Sequence, residues 1–277
     1  MHPEPGRLAV RKTYKLFIGG GFPRSESGRT YQVGNTNVAL ASRKDVRDAV
    51  VAARAAVGKW SGATAYNRGQ ILYRAAEMLE GRQAEFAALG VPAAQVAAAV
   101  DRWVWYAGWS DKIAQVYGSA NPVAGPYFNL STPEPTGVVG VVAPDESPLL
   151  GLVSVLAPVI VSGNTAVVLA AESDPLPAVT LAEVLATSDL PGGVVNLLTG
   201  RIAETAPWLA SHADVNGLDL TGVTDPQLAG ALEEAAAGTL KRVRRPPGQP
   251  VDWLADPGLD RLTAFLETKT VWHPKGV

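Results

Sequence analysis

Few residues in this chain have the types and spacing that do chemistry. Asp145 and Glu146 are adjacent carboxylates inside Pro144-Asp145-Glu146-Ser147-Pro148, a break between two apolar runs. Neighbouring carboxylates can serve as an acid/base pair when their surroundings push their pKa values apart. They can equally be solvated, or cap the helix that follows, where the dipole favours negative charge. Three histidines are scattered: His2 and His273 near the ends, and His212 at the close of a helical stretch. None stands beside a serine in a nucleophile-elbow setting, so Ser-His-Asp catalysis is not expected. The sequence has no cysteine, which removes thiolate nucleophiles, disulfides and thiolate metal ligands together. Three separated histidines do not make a transition-metal site either.

The turn that carries Asp145 and Glu146 belongs to the most organised stretch of the chain, Thr136–Pro175. Val138–Ala143 is a β-branched run without charge, the composition of a strand buried on both faces. Leu149–Val161 is long enough and apolar enough for a helix. Gly163-Asn164 is a helix stop, and Thr165–Leu169 reads as a second buried strand. Downstream, Pro177–Thr187, Ile202–His212 and Pro226–Gly238 read as helices. Val194–Leu198 and Val215–Leu220 read as strands, the latter ending in Thr221-Gly222. Strand–helix alternation of this kind predicts an α/β fold: a doubly wound, mostly parallel Rossmann-like sheet with helices on both faces. Ligands of such sheets bind at the carboxyl ends of the strands. The turns after Ala143, Leu169 and Leu220 are therefore where chemistry would sit.

Ahead of that sheet, Leu16–Gly21, Gly28–Val33 and Asn37–Ala41 predict a β-rich lead-in. Ser42-Arg43-Lys44-Asp45 has the pattern of a capping box, with Asp for the usual Glu, and opens a helix to Val57 that Gly58 should stop. Ala65–Leu89 and Ala93–Tyr117 read as two further long helices. The last holds Trp103, Trp105, Tyr106 and Trp109, either a stacking platform or an aromatic layer of the core. Asn121–Pro135 is Pro-rich and alternates polar with apolar residues, which predicts an exposed β-arm with Pro on its edge. Lys241–Arg245 is a short basic cluster, read as a solvated face or helix end. Arg244–Pro250 is irregular by its prolines, and Thr268–Trp272 alternates as a strand. Residues 1–120 and 136–258 then form the α/β domain, and 121–135 with 259–277 form the arm.

Composition narrows the partners. The 277 residues carry 24 Lys+Arg against 26 Asp+Glu, a balance that does not suit nucleic acid. The N-terminal residues lack the apolar core of a signal peptide. The most apolar stretch, Leu149–Val161, is too short to span a bilayer and is interrupted by Pro158. A cytoplasmic protein without membrane contact is expected.

Several segments, in order and in spacing, resemble the aldehyde dehydrogenase family. They are GVVGVVAP, APVIVSGNTAVVL, LPGGVVNLLTG and a further LTG after a strand, with FIGGGF before them and LETKTVW after them. The resemblance implies the coenzyme-binding half of that family together with its oligomerisation segments. In the family, GVVGVVAP is followed by Trp-Asn-Phe-Pro, whose Asn amide helps hold the oxyanion of the thiohemiacetal. Here Asp145, Glu146, Ser147 and Pro148 stand there, and the carboxylate of Glu146 would oppose a developing oxyanion. The family's Lys and Glu that grip the adenosine ribose correspond to Leu169 and Glu172. Its Thr-Gly-Ser-x-x-x-Gly turn against the pyrophosphate corresponds to Thr221-Gly222-Val223-Thr224-Asp225-Pro226-Gln227. Its Glu-Leu-Gly-Gly-Lys segment, source of the general base, corresponds to Pro246-Pro247-Gly248-Gln249-Pro250. The catalytic domain that follows in the family, with its cysteine nucleophile, has no counterpart in this sequence.

The resemblance thus implies no catalytic residue, no metal, no cofactor and a degenerate set of coenzyme contacts, Pro144, Glu172, Thr221 and Gly222. It also implies that the oligomerisation segments are present, with Tyr127, Phe128, Leu130, Val271 and Trp272 as the interface. In the family's dimers each arm extends the catalytic-domain sheet of the neighbour. A chain without that domain can donate an arm but not receive one. The expected function is a catalytically inactive subunit that assembles with a full-length aldehyde dehydrogenase. The alternatives are an NAD(P)-binding sensor, with Glu172 as a remaining contact, and an oxidoreductase acting only inside a complex.

Overall fold

The computed structural model describes residues 12–276; the reading of His2 and of the first residues lies outside them. In chain order the elements are β1 (Thr13–Tyr14), β2 (Thr30–Val33), β3 (Thr36–Ala39), α1 (Arg43–Ser61), α2 (Ala65–Glu80), α3 (Gln83–Ala88), α4 (Ala93–Trp109) and α5 (Ile113–Tyr117). There follow β4 (Ser119–Asn121), β5 (Tyr127–Pro135), β6 (Val138–Val142), α6 (Leu150–Val161), β7 (Thr165–Leu169), α7 (Leu176–Ala186) and β8 (Val195–Leu198). The chain continues through α8 (Ile202–Ser211), β9 (Gly217–Asp219), α9 (Pro226–Ala237), β10 (Arg242–Arg244), α10 (Asp260–Thr263) and β11 (Leu266–Pro274).

The main sheet is five-stranded, with order β10-β9-β6-β7-β8 and every neighbouring pair parallel. All five residues of β6 and of β7 are buried, as their uninterrupted apolar runs require. One core layer forms where α2, α4, α6 and α7 cover one face of the sheet. A second forms where α1, α8 and α9 cover the other. Every residue of α6 is buried, which follows from its being apolar all the way round. Trp103 and Tyr106 are fully buried in the first layer, so the α4 aromatics belong to the core.

Several element boundaries differ from the sequence reading. Helix α1 runs through Gly58 to Ser61, because the extra turn seats Trp60 in the core with its indole N–H donating to the Ile160 carbonyl at 2.8 Å. The helix expected over Ala65–Leu89 breaks at Gly81-Arg82 and restarts as α3, burying Phe86. The one expected over Ala93–Tyr117 breaks between Trp109 and Ile113. Leu16–Gly21 forms isolated bridges, Phe17 with Leu197 and Ile18 with Gly21, and no full strand. The basic cluster is neither a helix end nor a free solvated face. Arg242–Arg244 is the edge strand β10, paired in parallel with β9; Arg242 meets Glu267, Arg244 meets Asp260, and Arg245 just beyond the strand meets Glu233. The capping box at Ser42 is formed, with Asp45 Oδ2 accepting the Ser42 N–H at 2.7 Å.

A separate antiparallel sheet has order β11-β5-β4. Its nine-residue pairing runs from Leu266 opposite Pro135 to Pro274 opposite Tyr127. A hydrogen-bonded set of Asn121, Asn129, Ser131 and Thr270 binds its strands through one face. Phe128, Leu130 and Val271 lie together on the other face, about half exposed.

Candidate functional site

The turns after β6, β7 and β9 converge at the carboxyl ends of the strands. In the turn after β6, Ser147 Oγ accepts the Gly151 N–H at 2.9 Å and so satisfies an orphan donor of α6. The two carboxylates beside it have other partners. Asp145 Oδ1 accepts the Ser173 N–H at 3.3 Å, tying this turn to the one after β7. Glu146 Oε1 accepts the indole N–H of Trp253 at 3.2 Å. Neither carboxylate makes a hydrogen bond to the other, so the acid/base-pair geometry is not formed. Pro144 is buried behind them.

After β7, Leu169 is 2% exposed and packs in the second core layer. Glu172 is engaged by its neighbours: Oε1 pairs with Arg201 at 2.7 Å, and Oε2 accepts the Ile202 N–H at 2.9 Å, capping α8. Burial, and then Glu172, push the Tyr31 phenol beneath this pair up to about 12; the Arg201 guanidinium lies 5.4 Å from the Tyr31 ring centroid.

After β9, Thr221 and Gly222 are both committed to the fold. The Thr221 N–H donates to Asp219 Oδ1 at 2.9 Å and its hydroxyl donates to the same oxygen. Arg261 of α10 reaches in to donate to Asp219 Oδ2 at 3.3 Å and to the Thr221 hydroxyl at 3.2 Å. Desolvation lowers the Arg261 pKa, opposed by Asp219. A Cβ on Gly222 would stand 2.2 Å from the Ala143 carbonyl oxygen, so only glycine lets this turn approach β6. Asp225 caps α9 by accepting the Gln227 N–H at 2.9 Å, and Pro226 opens the helix without a donor of its own.

Two adjoining clefts lie over these turns. One, of ≈ 380 Å³, is lined by Asp145, Glu172, Arg201, Thr224 and Asp225 among others. The second, of ≈ 660 Å³, lies between the start of α9 and the Pro246–Val251 loop, with Glu146 at its wall. Val223 and Thr224 line both.

The family model of the aldehyde dehydrogenases matches residues 30–245. The chain belongs to the aldehyde dehydrogenase family. It is similar to human retinal dehydrogenase 2, with 34% identity over 87% of this chain and 50% of that protein. It is similar as well to the putative aldehyde dehydrogenase DhaS of Bacillus subtilis, with 34% identity over 84% of this chain and 50% of the relative. Mouse cytosolic 10-formyltetrahydrofolate dehydrogenase matches at 35% identity, over 79% of this chain and 26% of its own length. Among solved structures, a putative aldehyde dehydrogenase from Burkholderia cenocepacia superposes with TM-score 0.78 at 31% identity, covering 83% of this chain and 49% of that one. The NAD+ complex of an aldehyde dehydrogenase from Bacillus cereus gives 0.77 at 27% identity, covering 84% and 50%. The chain thus spans about half, or less, of the length of these relatives.

Linear motifs brought Glu172, Thr221 and Gly222 to the correct end of the sheet. They missed Arg201 and Arg261, which decide what Glu172 and Thr221 touch, and Trp253, which meets Glu146. Arg102 was missed too: it donates to Ser154 at 2.9 Å and to the carbonyls of Trp253 and Ala255, both at 2.9 Å, and so fastens the segment after β10 to α6. The residues expected at an interface, Tyr127, Phe128, Leu130, Val271 and Trp272, are 39%, 54%, 47%, 46% and 58% exposed, and Tyr127 meets Trp272 edge-on at 5.7 Å. Among the described residues no helix is long and apolar enough to cross a membrane.

Proposed function

We propose that this chain is a catalytically inactive, cytoplasmic member of its family that assembles with a full-length aldehyde dehydrogenase through the β11-β5-β4 sheet. The observation that carries the reading is the state of the cleft. Every coenzyme-side group the family pattern leads one to expect is either apolar, like Leu169, or satisfied by another protein group, like Glu172 and Thr221.

A dinucleotide does not fit this donor set. Glu172 would have to release Arg201 and the Ile202 N–H before accepting a ribose. A pyrophosphate over α9 would face the Asp225 carboxylate and a first turn opened by proline. The turn after β6 presents Glu146 where an oxyanion would need a donor. The Pro246–Pro250 stretch offers no base.

The second sheet supports the assembly half of the reading. Among the described residues its nine-residue strand β11 has an unpaired edge, and Phe128, Leu130 and Val271 form an exposed apolar patch bordered by Lys275 and the Lys269–Glu134 pair. Exposed edges and apolar faces of this kind are aggregation-prone unless covered. The cover proposed here is a full-length relative, of which this chain matches about half. The test is affinity purification of the tagged chain from its source cell. The expected result is a full-length aldehyde dehydrogenase at fixed stoichiometry, lost in the Leu130→Lys/Val271→Lys variant. A stable monomer that captures no family member refutes the proposal.

A further inference from the structure

The larger cleft has a chemistry that the assembly reading does not use. Val223, Ala229, Pro247 and Val251 give it apolar walls, and its ≈ 660 Å³ lies in the range of small-molecule sites. Of the polar side chains around it, Thr224 and Gln249 are uncharged, and two others are already paired. The Thr221 hydroxyl is held by Asp219 and Arg261, and Glu233 pairs with Arg245 at 2.9 Å. Glu146 differs. Its Oε1 takes the Trp253 indole N–H, while Oε2 has no protein partner among the described residues. Nor is any nearby cation free to neutralise it, since Arg245 faces Glu233 and Arg261 lies below Thr221 against Asp219. Asp225, which lines the adjoining cleft, adds negative charge at the start of α9, so the region disfavours anions.

We propose that this cleft binds a primary alkylammonium ion, the head on Glu146 Oε2 and the chain along the apolar walls. An ammonium donates three hydrogen bonds and no acceptor is asked of it. Its charge answers the one carboxylate lining this cleft that has no salt-bridge partner among the described residues, and its short chain removes apolar wall from water.

Calorimetric titration of the full chain with hexylammonium chloride, hexanol and hexanoate tests the assignment. Hexylammonium is expected to bind one to one, at least about tenfold more tightly than hexanol, a factor typical of a charge-assisted hydrogen bond. Hexanoate is expected not to bind. Glu146→Gln should bring hexylammonium down to the affinity of hexanol, whereas Glu134→Gln, on the other sheet, should leave it unchanged. Gly230 lines the cleft and has nothing within 4 Å of a would-be Cβ. Gly230→Leu is therefore a folded variant that fills the space, and it should abolish binding of both ligands. Equal affinity for hexylammonium and hexanol, an unchanged Glu146→Gln variant, an equal loss in Glu134→Gln, or no heat at about 10 mM ligand each overturns the proposal. The titration needs the chain alone, so its outcome is independent of any partner.

Discussion

Replacing Arg261 by Met tests whether the floor of the cleft is a structural unit. The Arg261 side chain is 11% exposed and its partner Asp219 only 3%. Removing one member of a buried pair leaves the other charged without compensation, which costs about 3–5 kcal/mol. Asp219 would keep the Thr221 N–H and hydroxyl, which places Arg261→Met near the lower bound. Lost contact between the guanidinium and Trp253, 5.5 Å to the ring centroid, adds up to about 1 kcal/mol. The expected destabilisation is about 3–4 kcal/mol, a midpoint shift of roughly 1 M urea for a slope near 3 kcal/mol/M. Urea unfolding followed by tryptophan fluorescence and by circular dichroism reads it. The double variant Asp219→Asn/Arg261→Met leaves no unpaired charge and should lose less than the sum of the two single variants by about 2 kcal/mol. A single variant within about 0.5 kcal/mol of the parent, or strict additivity in the cycle, would refute the reasoning.

Other predictions follow from individual groups. Tyr106 is fully buried with no partner for its hydroxyl, and burial pushes its pKa up to about 12, against the opposing pull of Arg261 and Arg102. The folded state therefore holds this proton more tightly than the unfolded chain, so stability is complete below pH ~10 and falls as the pH rises towards 12. Tyr106→Phe should flatten that alkaline decline, through removal of its share, and should be neutral or stabilising at pH 7, as read by urea midpoints at pH 7 and 11. Gly222→Ala should lower the thermal midpoint by many degrees, or prevent folding, because the new methyl would collide with Ala143 backbone. NAD and NADP should give no binding heat at about millimolar concentration, and saturable binding by either would restore the sensor reading.

How much of this was legible in the sequence depended on where each residue's partners lie. Strands β6 and β7 are visible because burial on both faces demands an unbroken apolar run, and Ser42 is visible because its cap partners sit within three residues. Strand β10 was invisible: Arg242–Arg244 is strand only by pairing with β9, and its edge position tolerates charge. Gly58 looked like a stop, yet the burial of Trp60 outweighs about 1 kcal/mol of lost helix propensity. Glu172 was correctly placed at the sheet end, but its use was not legible, because Arg201 lies 29 residues on. The same holds for Glu146 with Trp253 and for Thr221 with Arg261, which are joined only by the fold.

The motif fragments that persist in this chain are those with work in the fold. Gly222 is fixed by its approach to β6, and Thr221 by Asp219 and Arg261. Asn164 of the Gly163-Asn164-Thr165 turn accepts the Gly137 N–H at 2.8 Å and donates to the Phe265 carbonyl at 2.9 Å, locking the βαβ unit to the start of β11. Pro144 is buried. Of the positions that depart from the family pattern, Glu146 and Gln227 are exposed, while Ser147 and Val223 are buried and Leu169 replaces a charged position within the core. A turn can therefore keep its motif for packing whether or not it contacts a cofactor. In a chain of this family, the persistence of Thr221-Gly222 is evidence for a parallel sheet and not, by itself, for a bound dinucleotide.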